Sequence, residues 1–273
     1  DTEVLLRLYE EKGMKMLDDL NGMFAIAVYD KNKNSVFVAR DRLGVKPLYY
    51  YQKGTTFIFA SEIKAILAAG IKRELNPKVL GDYLQLGYVP PGETLFKNIY
   101  QLEPGNYLTV TKDGIEKKPW WSLASLAQEN IDAETWGDEF RYLFSDAVKI
   151  RMRAEVPFGA FLSGGIDSSA VVALMAKHSK LPVKTFSVGF AESQYSELRY
   201  AKAIAEQFKT EHCELTISQD HIMDDLPRLV RFRDAPVAEP SDIPIYLLSR
   251  EARKTVKMVL TGEGGDEILG GYP

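Results

Sequence analysis

The octapeptide Leu162-Ser163-Gly164-Gly165-Ile166-Asp167-Ser168-Ser169 stands between an apolar run, VPFGAFL, and a helical pattern, SSAVVALMAKH. Adjacent glycines cost conformational entropy, so an ordered segment that keeps them has a use for bare backbone. One use is to let a phosphate come close. The first amides of a helix are unpaired and carry the positive end of its dipole, and hydroxyls at Ser163, Ser168 and Ser169 add donors. Asp167 or Ser168 would cap that helix. The motif lacks the GK[ST] ending of a Walker loop and the three-glycine spacing of a dinucleotide fold, and a bare SGG also suits a plain tight turn. Asp167 favours the chemical reading. A carboxylate beside an anion is repulsive unless a cation joins them, and Mg²⁺ binds through one or two carboxylates plus phosphates. A second loop, LTGEGGDEILGGY at 260–272, again follows an apolar run and sets Glu263, Asp266 and Glu267 among glycines. Taken alone it is an acidic turn; beside the first loop it would complete a magnesium site. On this view Gly164→Val should block phosphate binding and leave the fold intact.

These loops need a frame that brings them together. From about residue 135 the pattern runs helix TWGDEFRYLFSDAVKIRMR, strand VPFGAFL, helix SSAVVALMAKH, strand VKTFSVGF, helix SELRYAKAIAEQF, strand HCELTI, a helix in SDIPIYLLSREARK, and strand VKMVL. Strands spaced by amphipathic helices make a parallel α/β sheet with right-handed crossovers, whose ligands gather at the carboxyl ends of the strands. Both loops fall there. Arg231 and Arg233 could reach a substrate carboxylate, although a solvated helix face is the plainer account.

Residues 1 to about 120 have a different rhythm. Short aromatic and β-branched runs, GMFAIAVYD, SVFVARD, PLYYY, TFIFA and NYLTVT, are separated by turn signals. Phe24–Tyr29 and Val36–Arg40 are spaced to pair as a hairpin. Helices are expected in SEIKAILAAG, with Ser61 as cap and Gly70 as stop, and in NPKVLGDYLQLG, with Asn76 as cap and Pro77 at its first position. Grouped strands with helices set apart predict a layered α+β domain over 1–125, joined through LAQENIDAE to the α/β domain over 135–273.

Composition narrows the rest. The 273 residues carry 34 basic and 38 acidic side chains, a net charge of −4 with no long run of either sign, which disfavours nucleic acid or an anionic membrane as partner. The single cysteine, Cys213, excludes an intrachain disulfide and a cysteine-rich metal centre, and reads as a small buried residue. Three histidines argue against a histidine-rich metal centre; His178 and His212 read as core or surface residues. With no secretory signal or spanning apolar run, a cytoplasmic protein is expected. The start at Asp1 and the stop after a glycine-rich loop suggest a fragment. Oligomeric state is open, a homodimer included.

SGGIDSS, SVGF and TGEGGDE in this order resemble the glutamine-dependent asparagine synthetase family, which joins an N-terminal-nucleophile glutaminase domain to an ATP pyrophosphatase domain. LNGMFAIAVYD, ARDRLGVKPLYY, FASEIKAIL and YLQLGYVPPGETLFKNIYQLEPG are similar to the glutaminase part. The resemblance implies a ligase that makes asparagine from aspartate and glutamine-derived ammonia through β-aspartyl-AMP, using ATP and Mg²⁺ and releasing AMP and pyrophosphate. It implies that Leu162, Val188 and Gly262 hold the adenosine, with Gly189 and Thr261 beside them. Ser163, Gly164, Gly165, Asp167 and Ser168 would hold the pyrophosphate, and Asp167 and Asp266 the metal. Glu263 would assist acyl-adenylate formation, and Asp1, in a segment like the family's SDxEV, would grip glutamine.

Two departures are visible. The family's glutaminase nucleophile is an N-terminal cysteine, whereas residue 1 is aspartate, and the sequence stops before the region where relatives place a catalytic lysine, so full turnover is not expected of this chain. Ala235 stands where many relatives have an acidic residue near the acceptor pocket. A sugar acid or peptide carboxylate therefore remains an alternative acceptor, and a non-catalytic nucleotide-binding homologue an alternative class.

Overall fold

The computed structural model describes residues 2–126, 132–190 and 196–271, with residues 219–222 described as backbone only. The chain divides into two units, Asp1–Gln128 and Glu129–Pro273.

The first unit contains α1 (Thr2–Lys12), β1 (Ala25–Asp30), β2 (Ser35–Arg40), β3 (Tyr49–Lys53), β4 (Thr56–Ala60), α2 (Ile63–Ala68), α3 (Leu80–Leu86), β5 (Ile99–Gln101), β6 (Asn106–Thr111) and β7 (Gly114–Pro119). Two antiparallel sheets form, ordered β1-β2-β6-β7 and β4-β3-β5, and β1 with β2 is the expected hairpin. Strand alternation explains the layering. Val38 and Leu108 face Leu48, Tyr50 and Leu102 between the sheets, while Phe37 and Ala39 face Met16, Leu17 and the side chains of α1. Ile63 and Ile66 of α2 cover Tyr51 and Ile99 on the outside of the second sheet. The result is four layers, α-β-β-α. The turn after β2 is built on two buried charges. The Arg40 guanidinium donates to the carbonyls of Gly44, Lys46 and Leu102, and the Asp41 carboxylate accepts from the amides of Phe24, Val45 and Lys46.

Two expected caps are absent. The residue before α2 is Glu62, with no side-chain cap, so Ser61 lies outside the helix. Asn76 does not start α3. Its amide donates to Glu93 and to the Thr94 carbonyl, both at 3.1 Å, and its Oδ1 accepts from Lys78 N at 3.3 Å. These bonds hold Pro77 in a turn and delay the helix to Leu80.

The second unit contains α4 (Ala133–Arg151), β8 (Phe158–Phe161), α5 (Ile166–His178), β9 (Lys184–Phe190), α6 (Leu198–Phe208), β10 (Glu211–Ile217), α7 (Gln219–Arg233), α8 (Asp242–Ala252), β11 (Met258–Leu260) and α9 (Gly265–Leu269). Asp132 caps α4 by accepting from the amides of Glu134 and Thr135. All four strands are parallel, in the order β10-β9-β8-β11. Val148 of α4, Val172 and Met175 of α5 and Ala201 of α6 cover one face, and Leu248 and Ala252 of α8 cover the other, where Cys213 is half-buried. The chain winds outward from β8 to β10 and then returns to place β11 on the other side of β8. The strand order reverses there, and in open α/β sheets the ligand crevice lies at that reversal. Among the described residues no helix is long and apolar enough to cross a membrane.

His178 ends α5 and pairs its Nε2 with Ser145 Oγ at 2.9 Å. His212, early in β10, is more tightly enclosed. Its Nδ1 lies 2.9 Å from Thr185 Oγ1, which is 2.8 Å from Thr210 Oγ1. Its Nε2 lies 3.5 Å from Glu214, too far for a hydrogen bond. Beside it a cleft of about 460 Å³ is lined by Lys202, Glu206, Lys209, Thr210 and Glu214. Burial pushes the imidazole below its ordinary value of 6.5, and Lys202 adds to this, against the opposing pull of Glu214. The native state therefore binds fewer protons here than the unfolded chain. The contribution is present above pH about 6.5 and is lost as pH falls through the lower native value. Urea midpoints between pH 7.5 and 5 should fall more steeply for the wild type than for His212→Gln; parallel slopes would remove His212 from the titration.

Candidate active site

The loops after β8 and β11 meet because their strands are neighbours, with Ala160 opposite Leu260. Leu162 anchors the first loop. Its side chain is buried, its amide donates to the Phe186 carbonyl at 2.9 Å, and its carbonyl accepts from Ser187 Oγ. Beyond it the chain turns through Ser163, Gly164 and Gly165 into α5, which begins at Ile166 with Gly165 as the residue before it. Asp167 and Ser168 are thus inside the first turn and do not cap it, contrary to expectation. The extended conformation of Gly165 (φ −68°, ψ 165°) lets the helix start earlier. The Ser163 and Ser168 hydroxyls are 2.9 Å apart; Gly165 N donates to Ser163 Oγ at 3.2 Å, and Ser168 Oγ to the Gly165 carbonyl at 3.3 Å. Acidic Asp167 in the first turn complements the helix dipole.

The two glycines play different parts. Gly164 has φ +86°, and a Cβ built on it would lie 2.6 Å from both Tyr200 Cβ and Ala201 N. Its bare face is already occupied by α6. Gly165 is exposed, and a Cβ there would meet only Ser163 Oγ, at 3.3 Å. Only Gly165 leaves an open approach, so the expectation that Gly164→Val would spare the fold is overturned.

The second loop packs directly on the first. A Cβ on Gly262 would lie 2.8 Å from Ser168 N, and one on Gly265 would lie 2.6 Å from the carboxyl carbon of Asp167. The Asp167 carboxylate therefore rests on backbone one residue before Asp266. The Asp266 carboxylate turns toward Gly271, where a Cβ would collide with its Oδ1. Thr261 and Gly262 are half-buried beside the first loop, and Glu263 is exposed at the rim. Val188, half-buried, belongs to the α8 face of the sheet, and Gly189 abuts Ser196 and Leu198 at the start of α6. The structure thus gathers Ser163, Gly165, Asp167, Ser168, Gly262 and Gly265 at one crevice, while the Asp266 carboxylate, which the sequence paired with Asp167, faces Gly271 instead. Asp1 lies outside the described residues. Arg233 pairs with Asp242 and so is engaged within the protein. The contact of α6 with Gly164 was not foreseen, since nothing in the local pattern links residues 36 positions apart.

This arrangement can present helix amides and hydroxyls to a phosphate, with the Asp167 carboxylate on its flank. Among the described residues there is no group of three metal-binding side chains.

The sequence model of the family described as Asparagine synthase matches residues 139–273, and that of the Glutamine amidotransferase domain matches residues 1–121. Asparagine synthetase (glutamine-hydrolyzing) 1 of Bacillus subtilis (strain 168) is 38% identical over 272 residues, covering all of this chain and 43% of that protein. Asparagine synthetase (glutamine-hydrolyzing) 3 of the same organism is 38% identical over 296 residues, covering all of this chain and 47% of that protein. The chain spans about half the length of the curated relatives it matches. Among solved structures, the glutamine-dependent NAD+ synthetase of Acinetobacter baumannii in complex with adenosine diphosphate aligns at TM-score 0.38 and 14% identity, over 98% of this chain and 65% of that one.

Proposed function

The chain belongs to the glutamine-dependent asparagine synthetase family, and from that premise we propose that its second unit binds ATP and adenylates the side-chain carboxylate of aspartate. Ammonia then attacks the activated carbonyl, giving asparagine and AMP. The observation that carries this reading is the packing of Gly262 and Gly265 against Ser168 and Asp167 at the strand-order reversal. Residues 1–125 form the glutaminase-like domain in this proposal, with Asp1 as its glutamine contact, and 135–273 the ATP-binding domain.

Each residue has a task that its surroundings support. The Gly165 backbone and the first turn of α5 receive the β- and γ-phosphates, while the paired hydroxyls of Ser163 and Ser168 rotate to donate to them. Leu162, Val188, Gly189, Thr261 and Gly262 border the adenosine. Asp167 and Asp266 would hold Mg²⁺, whose oxygen-ligand preference their carboxylates satisfy and which would neutralise charge on the leaving pyrophosphate. Glu263, exposed at the rim, orients the reacting carboxylate. Fixed dipoles aimed at developing charge outperform water because they need no reorganisation.

The reading is tested with aspartate labelled with ¹⁸O in its side-chain carboxylate. Adenylation followed by ammonia attack moves one labelled oxygen into AMP. Unlabelled AMP formed alongside asparagine would exclude the acyl-adenylate. Label arriving in AMP only with a sugar acid or a peptide would support the alternative acceptors that Ala235 leaves open.

A further inference from the structure

Leu162 is the point at which the chain leaves the sheet for the phosphate loop. The β8 ladder ends with Phe161 opposite Phe186, and Leu162 N adds one bond beyond it, to the Phe186 carbonyl. The Leu162 carbonyl accepts from a side chain, the hydroxyl of Ser187 on β9. Ser187 is 2% exposed, and its backbone is held opposite Glu214 of β10. The buried faces of a central parallel strand ordinarily carry apolar side chains, and a hydroxyl there needs a partner. This one grips more than a single carbonyl. A peptide unit is planar, with C=O and N–H on opposite edges. The unit joining Leu162 to Ser163 is held by Ser187 on one edge, and on the other the Ser163 amide donates to Ser168 Oγ at 3.3 Å. Ser168 Oγ lies 2.9 Å from Ser163 Oγ, which accepts from Gly165 N. A line of bonds therefore runs from the interior of β9 to the paired hydroxyls and the Gly165 amide. Without the Ser187 hydroxyl, the Leu162 carbonyl is a buried acceptor lacking this donor, and rotation of the peptide unit toward another would turn the Ser163 amide away from Ser168.

We infer that Ser187 is a positioning residue of the phosphate loop: it touches no phosphate, but by holding the Leu162–Ser163 peptide unit it keeps the Ser168 and Ser163 oxygens in place before nucleotide arrives. This rests on the reading that the loop holds the phosphates of ATP. Donors already in place bind a ligand more tightly than donors the ligand must order.

The test is a double-mutant cycle on ATP binding in the presence of Mg²⁺. The wild type, Ser187→Ala, Ser168→Ala and the double variant are each checked for cooperative unfolding in urea and titrated calorimetrically. Ser168→Ala should bind ATP about tenfold more weakly, as expected for one charge-assisted contact, and Ser187→Ala about fivefold more weakly. Because Ser187 acts through Ser168, the double variant should stay about tenfold weaker than the wild type, whereas independent effects would multiply to about fiftyfold. A residue that serves only the fold would lower the urea midpoint and leave the affinity of the folded protein unmoved. ATP affinity of Ser187→Ala within twofold of wild type would overturn the inference, as would a fiftyfold loss in the double variant or failure of Ser187→Ala to fold. Failure of the wild type to bind ATP would instead overturn the loop reading, and the inference with it.

Discussion

Asp167→Asn is expected to leave the second unit folded and to lower Mg²⁺-dependent pyrophosphate release by about a hundred- to a thousand-fold. The substitution keeps the shape that packs on Gly265 and removes only the charge. Loss of a first-turn carboxylate costs a helix about 0.3–1 kcal/mol, a small part of domain stability. The same charge in a site that must neutralise a leaving pyrophosphate accounts for several kcal/mol of the barrier. Stability and activity should therefore separate, with the urea midpoint nearly unmoved and pyrophosphate release collapsing. A parallel fall of both would mean that Asp167 serves the fold. Retention of both would remove it from the metal.

The glycine pair gives the second large effect, and the two positions should behave oppositely. Gly164→Val places a β-branched side chain at φ +86° and 2.6 Å from the backbone of α6. The left-handed conformation costs about 1–2 kcal/mol, and overpacking against rigid backbone about 1–3 kcal/mol more. A marked drop in the urea midpoint of the second unit is expected. Gly165→Ala meets neither obstacle, since its φ is −68° and its only near neighbour is the hydroxyl of Ser163. That variant should fold like the wild type and bind ATP at least about tenfold more weakly, because the new methyl stands where phosphate must approach. If Gly165→Ala keeps full ATP affinity, the cradle is wrongly placed.

Much of this frame was readable along the chain. Strands β8 to β11 announce themselves as short apolar runs between amphipathic helices, and the hairpin of β1 and β2 by alternation about Lys31–Asn34. What local pattern could not supply was partnership at a distance. Asn76 has the chemistry of a helix cap but spends its amide on Glu93 and Thr94, so α3 begins later. Helix α7 carries Pro227 in its interior, a residue that normally marks an end, so the pattern reveals a helix face at Arg231 and Arg233 but not the span from Gln219. At the site, the residue types were legible in SGGIDSS and TGEGGDE. The division of labour between the glycines was not, because it depends on Tyr200 and Ala201 of a different helix.

The central claim is that the loops after β8 and β11 jointly hold the phosphates of ATP and a divalent ion while a carboxylate is activated. Exchange of ³²P-labelled pyrophosphate into ATP examines that step alone, without glutamine or ammonia. The protein should catalyse exchange that requires both aspartate and Mg²⁺ and that fails in Asp167→Asn. ATP binding with no exchange in the presence of aspartate and Mg²⁺, or exchange undiminished in that variant, would contradict it.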